Sequence, residues 1–374
     1  MSGAPPSGKT TNPRRGSRSL SAALRHRGCF KTPSWLRPAA RPRCCVARTC
    51  RILRIRRRPP FLHRGRSLAL GPTERVLKQP LTACLVVALL GGGCLSFSTR
   101  VETVESRTLG LEGVRSLVVR TASGHVIVHC DPNVADLQVQ VKRFGQSSSE
   151  EDARRLLEKV EVSLELDPQR NDVLRIEAIV PRSLRGRNSA GAGFVLSLPP
   201  GMDFKIETEN GPVEVDGAKG DVSIQSQNGG IAVRRSEGDF EMQSANGDIR
   251  FEGVRGATIQ ASTANGNIYG TDFEGDSRFS TDNGAIRLRL ARGAVRPRIH
   301  AESSNGSIRI ETPASLSAQV SFSTDNGGIR ADLDEFNASD VVKNRHRFRA
   351  ALNGAEGIVE ARTSNGGIEL RPLP

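Results

Sequence analysis

Three acidic side chains near Asn-Gly pairs are the strongest candidates for catalysis in this sequence. Asp282 and Asp325 each directly precede an Asn-Gly pair, and Glu302 lies three residues before another. Facing carboxylates of this kind cleave polysaccharides when a sugar chain lies between them. Acids beside turns are normally solvated, however, and no calcium-loop spacing accompanies these three. The sequence therefore favours a protein without enzymatic activity, with a polysaccharide-active enzyme of the parallel β-helix type as the alternative.

Four arginines share one position relative to the same Asn-Gly pairs. They lie four residues after the Asn: Arg250, Arg287, Arg309 and Arg330. If equivalent residues stack, the four guanidinium groups form a basic stripe that could hold acidic glycans or lipopolysaccharide phosphates. Solvated charge that protects a sheet from edge-to-edge association is the other interpretation. No cofactor or metal is expected, because the chain has no phosphate loop, zinc spacing, catalytic triad motif or dinucleotide fingerprint.

A repeat that begins at residue 204 must position these side chains. Successive Asn-Gly pairs are 18, 18, 19, 18, 22, 21 and 39 residues apart, and the last spacing is close to two periods. The pairs begin at Asn210, Asn228, Asn246, Asn265, Asn283, Asn305, Asn326 and Asn365. Ser or Thr always lies two residues before the Asn, and Ile or Val lies three residues after it. Positions four and six before the Asn are apolar or small, which indicates a half-buried β-strand.

Two all-β folds can use a unit of strand, Asn-Gly turn and strand. Antiparallel hairpins favour Asn-Gly because both residues tolerate positive φ. In a β-solenoid each unit is one coil, and equivalent residues stack about 4.8 Å apart along the axis. The nearly invariant Ser/Thr and Ile favour the solenoid, because each residue then packs on its own copy, whereas hairpins pair different positions. We therefore predict an all-β, single-domain β-solenoid over residues 109–374, with coils of 18–22 residues.

The segment between residues 109 and 204 contains one earlier copy of the unit and a helix. Ser123-Gly124 replaces Asn-Gly in an expected amino-terminal coil. Residues 149–160 predict a short helix, because Ser149 can cap it and three acids fill its first turn; its apolar stripe would cover an open end of the solenoid. Three further strands are expected at 162–166, 173–179 and 193–198. The segments 182–187 and 334–357 are expected to be solvated loops.

The first 93 residues differ in charge from the rest of the chain. They hold 20 Lys and Arg against one acid, for +19, whereas residues 94–374 hold 34 basic and 39 acidic side chains, for −5. Nucleic-acid binding therefore loses its support once this segment is set apart. Residues 1–75 lack the apolar periodicity of a folded segment and are expected to be disordered. They fit an organelle transit peptide, a basic arm or, as we expect, translated sequence upstream of a true start at Val76.

An apolar run over residues 81–90 ends in Gly91-Gly92-Gly93-Cys94. It is too short to span a bilayer but long enough for the core of a secretory signal. Small residues before a Cys resemble the lipobox of bacterial lipoproteins, in which that Cys carries the lipid. The resemblance implies a signal peptide at 76–93, lipidation of Cys94, a linker at 94–108 and contact with a membrane through the lipid. A short buried segment or an uncleaved anchor is the alternative.

The cysteines agree with export. Six of the seven Cys lie at or before position 94, which leaves Cys130 as the one unmodified thiol of the processed chain. No His or Asp pattern typical of thiol enzymes surrounds it, so we expect a small buried side chain near the end of a strand rather than a nucleophile.

Residues 105–374 as a whole resemble an adhesin-like family of bacterial surface β-solenoid proteins. The resemblance rests on the Ser/Thr, Asn-Gly and Ile positions of the repeat, the Ser-Gly coil, the helix and the insertion before the last coil. It implies a fold and an exported location more than a reaction. The expected protein is a lipid-anchored envelope protein with a structural or adhesive role, and its partner would be a surface glycan or an envelope protein. Leu95 after Cys94 favours the outer membrane, and a periplasmic scaffold or regulator is a further alternative.

Overall fold

The computed structural model describes residues 98–181 and 190–373. The segments 1–75 and 76–93, Cys94 and the expected loop at 182–187 lie outside these residues. The described part contains 24 strands and one helix, and no helix in it has the length and apolar character needed to cross a bilayer. The chain is therefore nearly all-β over the range that the structure covers.

The strands divide into two sets according to their place in the repeat. In chain order they are β1 (Thr99–Leu109), β2 (Ser116–Ser123), β3 (Val126–Cys130), β4 (Leu137–Ser147), β5 (Glu161–Leu166), β6 (Val173–Ile179), β7 (Ala190–Leu198), β8 (Asp203–Asn210), β9 (Val213–Asp216), β10 (Val222–Asn228), β11 (Ile231–Arg234), β12 (Phe240–Asn246), β13 (Ile249–Glu252), β14 (Arg255–Asn265), β15 (Ile268–Asn283), β16 (Ile286–Leu290), β17 (Arg298–Ser303), β18 (Ile308–Thr312), β19 (Ala318–Thr324), β20 (Ile329–Ala331), β21 (Ala338–Lys343), β22 (Arg347–Leu352), β23 (Gly357–Thr363) and β24 (Ile368–Pro372). The helix α1 (Glu150–Glu158) lies between β4 and β5.

Strands that precede an Asn-Gly turn form sheet 1, and strands that follow it form sheet 2. Sheet 1 has the order β5-β6-β2-β8-β10-β12-β14-β15-β17-β23-β19-β22-β21. Sheet 2 has the order β1-β4-β7-β3-β9-β11-β13-β15-β16-β18-β24-β20. The long strand β15 runs through both and joins them into one open 24-stranded sheet. Neighbouring coils pair in parallel, which confirms the predicted solenoid and excludes a hairpin array.

The inward faces of the two sheets form one continuous apolar core. Its members are the aliphatic residues that alternate along each strand, such as Ile206 and Ile224 in sheet 1 and Ile268 in sheet 2. Three phenylalanines, Phe251, Phe273 and Phe279, cluster in the middle of the stack with ring centroids 5.2–5.6 Å apart. The predicted alternation thus places each coil's apolar side chains on those of the next.

The Asn-Gly turns work differently from the expectation based on φ. None of the eight asparagines has a positive φ, and of the eight glycines only Gly211 does, at 145°. The glycines are needed because a Cβ there would lie 1.9–2.3 Å from a glycine carbonyl oxygen of the adjacent coil. No side chain fits at such a distance, so close stacking of coils, not a left-handed backbone, selects glycine.

Two ladders of hydrogen bonds run along the turns. On the outside, each Asn Nδ2 donates to Oδ1 of the Asn in the adjacent coil at 2.8–3.1 Å, from Asn228 on Asn210 to Asn326 on Asn365. On the inside, six of the buried Ser and Thr hydroxyls donate to a glycine carbonyl of the adjacent coil at 2.8–3.1 Å. The repeated polar residues therefore connect coils, as predicted for stacked copies.

The two ends of the stack do not follow chain order. The β2/β3 coil, expected at the amino-terminal end, lies between the β6/β7 coil and the β8/β9 coil. The last coil of the sequence, β23/β24, lies between β17/β18 and β19/β20. The Asn ladder accordingly passes from Asn305 to Asn365 and only then to Asn326. The spacing of 39 residues is thus a detour of the chain and not two consecutive stacked coils.

Antiparallel strands cover both ends. Strands β22 and β21 pair next to β19, so the interpretation of residues 334–357 as a solvated loop was wrong for most of that segment. At the other end, β5 covers β6, while β4 and then β1 extend sheet 2. Residues 99–108, expected to be linker, belong to β1 because their backbone groups pair along β4.

The predicted helix forms and packs on this end. Ser149 caps α1 and accepts a hydrogen bond from the Asp152 N–H at 3.2 Å. Ala153 is buried, and a Cβ on Gly145 of β4 would lie 2.0 Å from its carbonyl oxygen, so the helix rests directly on the β4 backbone. The helix leads from β4 in sheet 2 to β5 in sheet 1.

Candidate functional site

Asp325 does not join the acidic cluster predicted from the sequence. Asp282 belongs to the coil next to the one that carries Glu302, but the inserted β23/β24 coil separates Glu302 from the coil of Asp325. Asp282 and Asp325 are therefore three coils apart, roughly 14 Å at about 4.8 Å per coil. This exceeds the separation of carboxyl pairs in glycoside hydrolases, about 5–9.5 Å. The prediction was wrong because it assumed that coils stack in chain order.

Glu302 takes part in a different contact. His300 lies beside it on the outer face of sheet 1, with its Nε2 3.9 Å from Glu302 Oε2 and its Nδ1 3.3 Å from Glu360 Oε2. All three side chains are largely exposed. Among residues 98–181 and 190–373, no group of three or more His, Cys, Asp or Glu is arranged to hold a metal ion.

The four arginines lie in one outward row of sheet 2, as predicted, but the row is interrupted. Along the stack its members are Glu214, Ala232, Arg250, Tyr269, Arg287, Arg309, Glu369 and Arg330. Tyr269 thus separates Arg250 from Arg287, and Glu369 separates Arg309 from Arg330. Arg287 and Arg309 are the only two of the four that are direct neighbours in this row.

Carboxylates neutralise two of these arginines. Arg250 Nη2 lies 2.6 Å from Asp248 Oδ2, and Arg309 Nε lies 2.8 Å from Glu369 Oε2. Partial burial alone would raise the pKa of Glu369, but Arg371 and Arg309 hold it below its usual range. This carboxylate therefore stays ionised near neutral pH and occupies Arg309.

Tyr269 lies between two guanidinium groups on this face. The Cζ of Arg250 is 4.9 Å and that of Arg287 is 5.6 Å from the centre of its ring. Arg289 follows on the same face of β16, two residues after Arg287. Within the described ranges, Arg287 and Arg289 form no ion pair, although Glu311 of β18 is the cross-strand neighbour of Arg289. We name the five residues of this area the Tyr269 patch: Arg250, Tyr269, Arg287, Arg289 and Arg309.

A shallow groove on the outer face of sheet 1 was missed by the sequence reasoning. It has a volume of about 770 Å³ and crosses several coils. Uncharged side chains line its middle: Gln225, Gln243, Ala245, Ser262, Ala264 and Ser280. The signal was available in the sequence, because these residues lie one or three positions before an Asn, where a strand faces outward.

Charged groups at one end of the groove satisfy one another. Arg120 Nε lies 2.8 Å from Glu207 Oε2, and its Nη1 lies 3.3 Å from Glu177 Oε1. The hydrogen bond to Glu207 is the main reason that the pKa of Arg120 is raised. Burial opposes ionisation of Glu207, but Lys205 and Arg120 keep its pKa below the usual range. The groove thus offers amides and hydroxyls, whereas the Tyr269 patch offers two arginines, Arg287 and Arg289, that form no ion pair.

Cys130 is partly buried at the end of β3. Burial, and then the nearby Asp216 carboxylate, raise the pKa of its thiol to about 12. The thiol remains protonated near neutral pH, which is the opposite of what a catalytic cysteine requires.

The chain is similar to one protein family and to solved structures of low sequence identity. A family model described as Toastrack DUF4097 matches residues 138–371. The solved structure of a "putative adhesin" from Bacteroides fragilis NCTC 9343 is 12% identical, with a TM-score of 0.43, over 72% of this chain and 97% of that one. A "putative cell adhesion protein" from Clostridium sporogenes ATCC 15579 is 11% identical, with a TM-score of 0.24, over 73% of this chain and 100% of that one. No curated protein matches the chain.

Proposed function

Because this chain belongs to the Toastrack DUF4097 family, we propose that it is a non-enzymatic binding protein of the bacterial envelope, anchored by a lipid on Cys94. The observation that carries the binding role is the outward face of sheet 2. There a partly exposed tyrosine and two arginines that form no ion pair lie on paired strands. Solenoids commonly use such extended, rigid faces for recognition.

The catalytic alternative has weaker support. Its three proposed carboxylates are spread over several coils, and the one thiol in the described range is held protonated by burial. Asp282→Ala and Glu302→Ala variants are therefore expected to keep full ligand binding. Turnover of a polysaccharide by the wild-type chain that either substitution abolishes would overturn the non-enzymatic proposal.

The proposed anchor is compatible with the position of β1. Only four residues separate Cys94 from Thr99, the first residue of β1. Five fully extended residue steps span at most about 18 Å, so acylated Cys94 would keep the β1 edge of sheet 2 close to the bilayer. Each buried methylene of an acyl chain contributes about 0.8 kcal/mol to membrane binding. The composition of the segment before Cys94 and the Leu at position 95 support export and the outer membrane.

Metabolic labelling tests the anchor. Cells that express the full chain are grown with an alkyne fatty acid, and the protein is purified, coupled to a fluorophore and compared with Cys94→Ala and Cys84→Ala variants. We expect labelling and membrane association to be lost in Cys94→Ala and retained in Cys84→Ala. Equal labelling of Cys94→Ala, or an unlabelled wild-type protein, would overturn the anchor.

Protease treatment of intact cells then distinguishes the surface from the periplasm. A surface protein is digested in intact cells, whereas a periplasmic scaffold is digested only after the outer membrane is permeabilised. We expect digestion in intact cells. Protection until permeabilisation would favour the periplasmic alternative.

A further inference from the structure

Tyr269 is the sole tyrosine of the chain. Every phenylalanine in the described ranges is buried, so Tyr269 is the one aromatic side chain there that reaches solvent. A half-exposed ring on the outer face of a sheet contributes little to the core, which already contains the phenylalanine cluster. Its position is better suited to contact with a ligand.

The backbone that carries Tyr269 is held firmly. Its neighbours in the strand, Ile268 and Gly270, are buried, and a Cβ on Gly270 would lie 2.3 Å from the Phe251 ring. Parallel strands β13 and β16 pair with this part of β15 on both sides. The position of the Tyr269 side chain is therefore largely set before a ligand arrives, which lowers the entropic cost of binding.

The charges around the ring are unequal. Asp248 neutralises Arg250 on one side, whereas Arg287 and Arg289 on the other side form no ion pair among the residues that the structure describes. Arg309 follows in the next coil, partly occupied by Glu369, and Glu311 of β18 is the cross-strand neighbour of Arg289. Arg287 is thus the arginine beside the partly exposed ring that has no adjacent acid in its own coil, and Arg289 adds a second positive charge on β16.

From this arrangement, and resting on the proposed binding role, we infer that the Tyr269 patch binds an acidic polysaccharide through its uronate units. The apolar C–H face of a pyranose ring stacks on Tyr269 in place of the Arg287 guanidinium group, which is the more distant of the two over the ring and turns to the ligand. Its carboxylate accepts hydrogen bonds from Arg287 and Arg289, since guanidinium groups match carboxylates in bidentate geometry. A further unit of the polymer reaches Arg309 in the next coil, where it competes with Glu369 for the guanidinium group, and this second contact adds avidity.

Two other ligand classes fit less well. A neutral glycan would contact the ring but leave the two arginines unpaired, and the sheet 1 groove with its amides and hydroxyls suits it better. A bare polyphosphate would use the arginines but gain nothing from the ring. The combination of one ring with adjacent free guanidinium groups selects a ligand that is both cyclic and carboxylated.

Titration calorimetry with polygalacturonate tests the inference on the purified full chain. The matched probe is the same polymer with its carboxyl groups reduced to alcohols. The double variant Arg287→Gln/Arg289→Gln is expected to bind at least about tenfold more weakly, because it loses charge-assisted hydrogen bonds. Tyr269→Ala should weaken binding several-fold, and Tyr269→Phe should restore it because the ring is kept.

Arg278→Gln is the control, because Arg278 lies on the same strand β15 but on the outer face of sheet 1. We expect it to bind like the wild type, and all variants to retain the wild-type circular dichroism spectrum and melting temperature. Equal binding of the carboxyl-reduced polymer, an unaffected double variant, or wild-type protein that does not bind polygalacturonate would each overturn the inference. The lipid-labelling experiment is independent of this one, so the proposed lipid anchor and the proposed ligand can be refuted separately.

Discussion

The middle and the ends of the stack use the same repeat but are assembled differently. From β8 to β18, coils that follow one another in the chain are neighbours in space. At each end one coil is inserted out of chain order, and antiparallel strands complete the sheets. The difference teaches that the repeat determines the shape and register of a coil, whereas its place in the stack depends on segments outside the repeat.

Removing one coil from each region tests this comparison most strongly. Deletion of residues 229–246 joins Asn228 to Gly247, keeps the frame of the repeat and lets β10 pair with β14. Deletion of residues 354–374 removes β23 and β24, which leaves β17 and β19 without a common partner. We expect the first variant to unfold cooperatively with reduced stability and the second to be largely unfolded. Circular dichroism and urea denaturation measure both, and equal stability of the two variants would contradict the comparison.

Glycine substitutions test the comparison between the middle and the ends of the stack at single positions. A Cβ on Gly306 would lie 1.9 Å from the Gly284 carbonyl oxygen, whereas Gly328, near the carboxyl-terminal end, has no atom within 4 Å of such a Cβ. Gly306→Ala is expected to cost about 2–4 kcal/mol of unfolding free energy, because coils must separate. Gly328→Ala should change stability by less than about 0.5 kcal/mol. Urea denaturation decides, and similar losses in both variants would refute the stacking explanation.

The Asn ladder offers a smaller contrast. Asn265 donates to Asn246 and accepts from Asn283, whereas Asn326 at the end only donates to Asn365. Asn265→Ala is expected to cost about 1–2 kcal/mol and Asn326→Ala about half of that, since each exposed hydrogen bond contributes modestly. Chemical denaturation measures both. A larger loss of unfolding free energy in Asn326→Ala would show that the contribution of each Asn does not depend on how many ladder hydrogen bonds it makes.

The buried hydroxyls provide an isosteric test. Thr281 Oγ1 donates to the Gly266 carbonyl at 2.9 Å, but the buried Thr208 Oγ1 near the amino-terminal end has no hydrogen-bond partner. Thr281→Val is expected to lose about 1 kcal/mol, whereas Thr208→Val should be neutral or slightly stabilising. The difference in melting temperature between the two variants is the readout. Equal destabilisation would mean that the Thr208 hydroxyl is satisfied in solution.

The smallest expected effect concerns acid pH at the amino-terminal end. The Gln169 N–H and then Arg175 hold the pKa of Asp167, in the β5–β6 loop, below its usual range. The depressed pKa means that the carboxylate stabilises the fold above its unfolded pKa, about 3.9, and that this contribution is lost as the pH falls through the folded value. Asp167→Asn should therefore lower the melting temperature at pH 6 and approach the wild type near pH 2. A constant difference across this range would contradict the assignment.

The sequence alone predicts what is local to a coil. The residues beside Asn283 show this: Thr281 and Ile286 are buried on either side of the turn as their spacing indicates. The order of coils at the ends is not predictable in this way, because Asn305 meets the same amide whether its neighbour is Asn326 or Asn365. Strand β22, which pairs with β19, occupies that strand's other edge, and no Asn-Gly pair of the repeat marks it.

The candidate site was predictable in part for a related reason. The arginine positions were found because they repeat, but Tyr269 and Glu369 occupy the same position of their coils and were overlooked as exceptions. Considering every coil at that position would have found the ring. The pairing of Arg309 with Glu369 was beyond sequence reasoning, since it joins residues 60 apart that meet only because the last coil is inserted.

The inserted β23/β24 coil connects the outermost coil of this end to the rest of the stack. Strands β19 and β20 join the stack only through β23 and β24, which lie between them and β17 and β18. Completion of this end of the stack therefore requires residues 354–374. Cleavage of the chain within these residues does not produce a shorter intact solenoid. It leaves two unpaired strand edges, which are prone to pair with other chains.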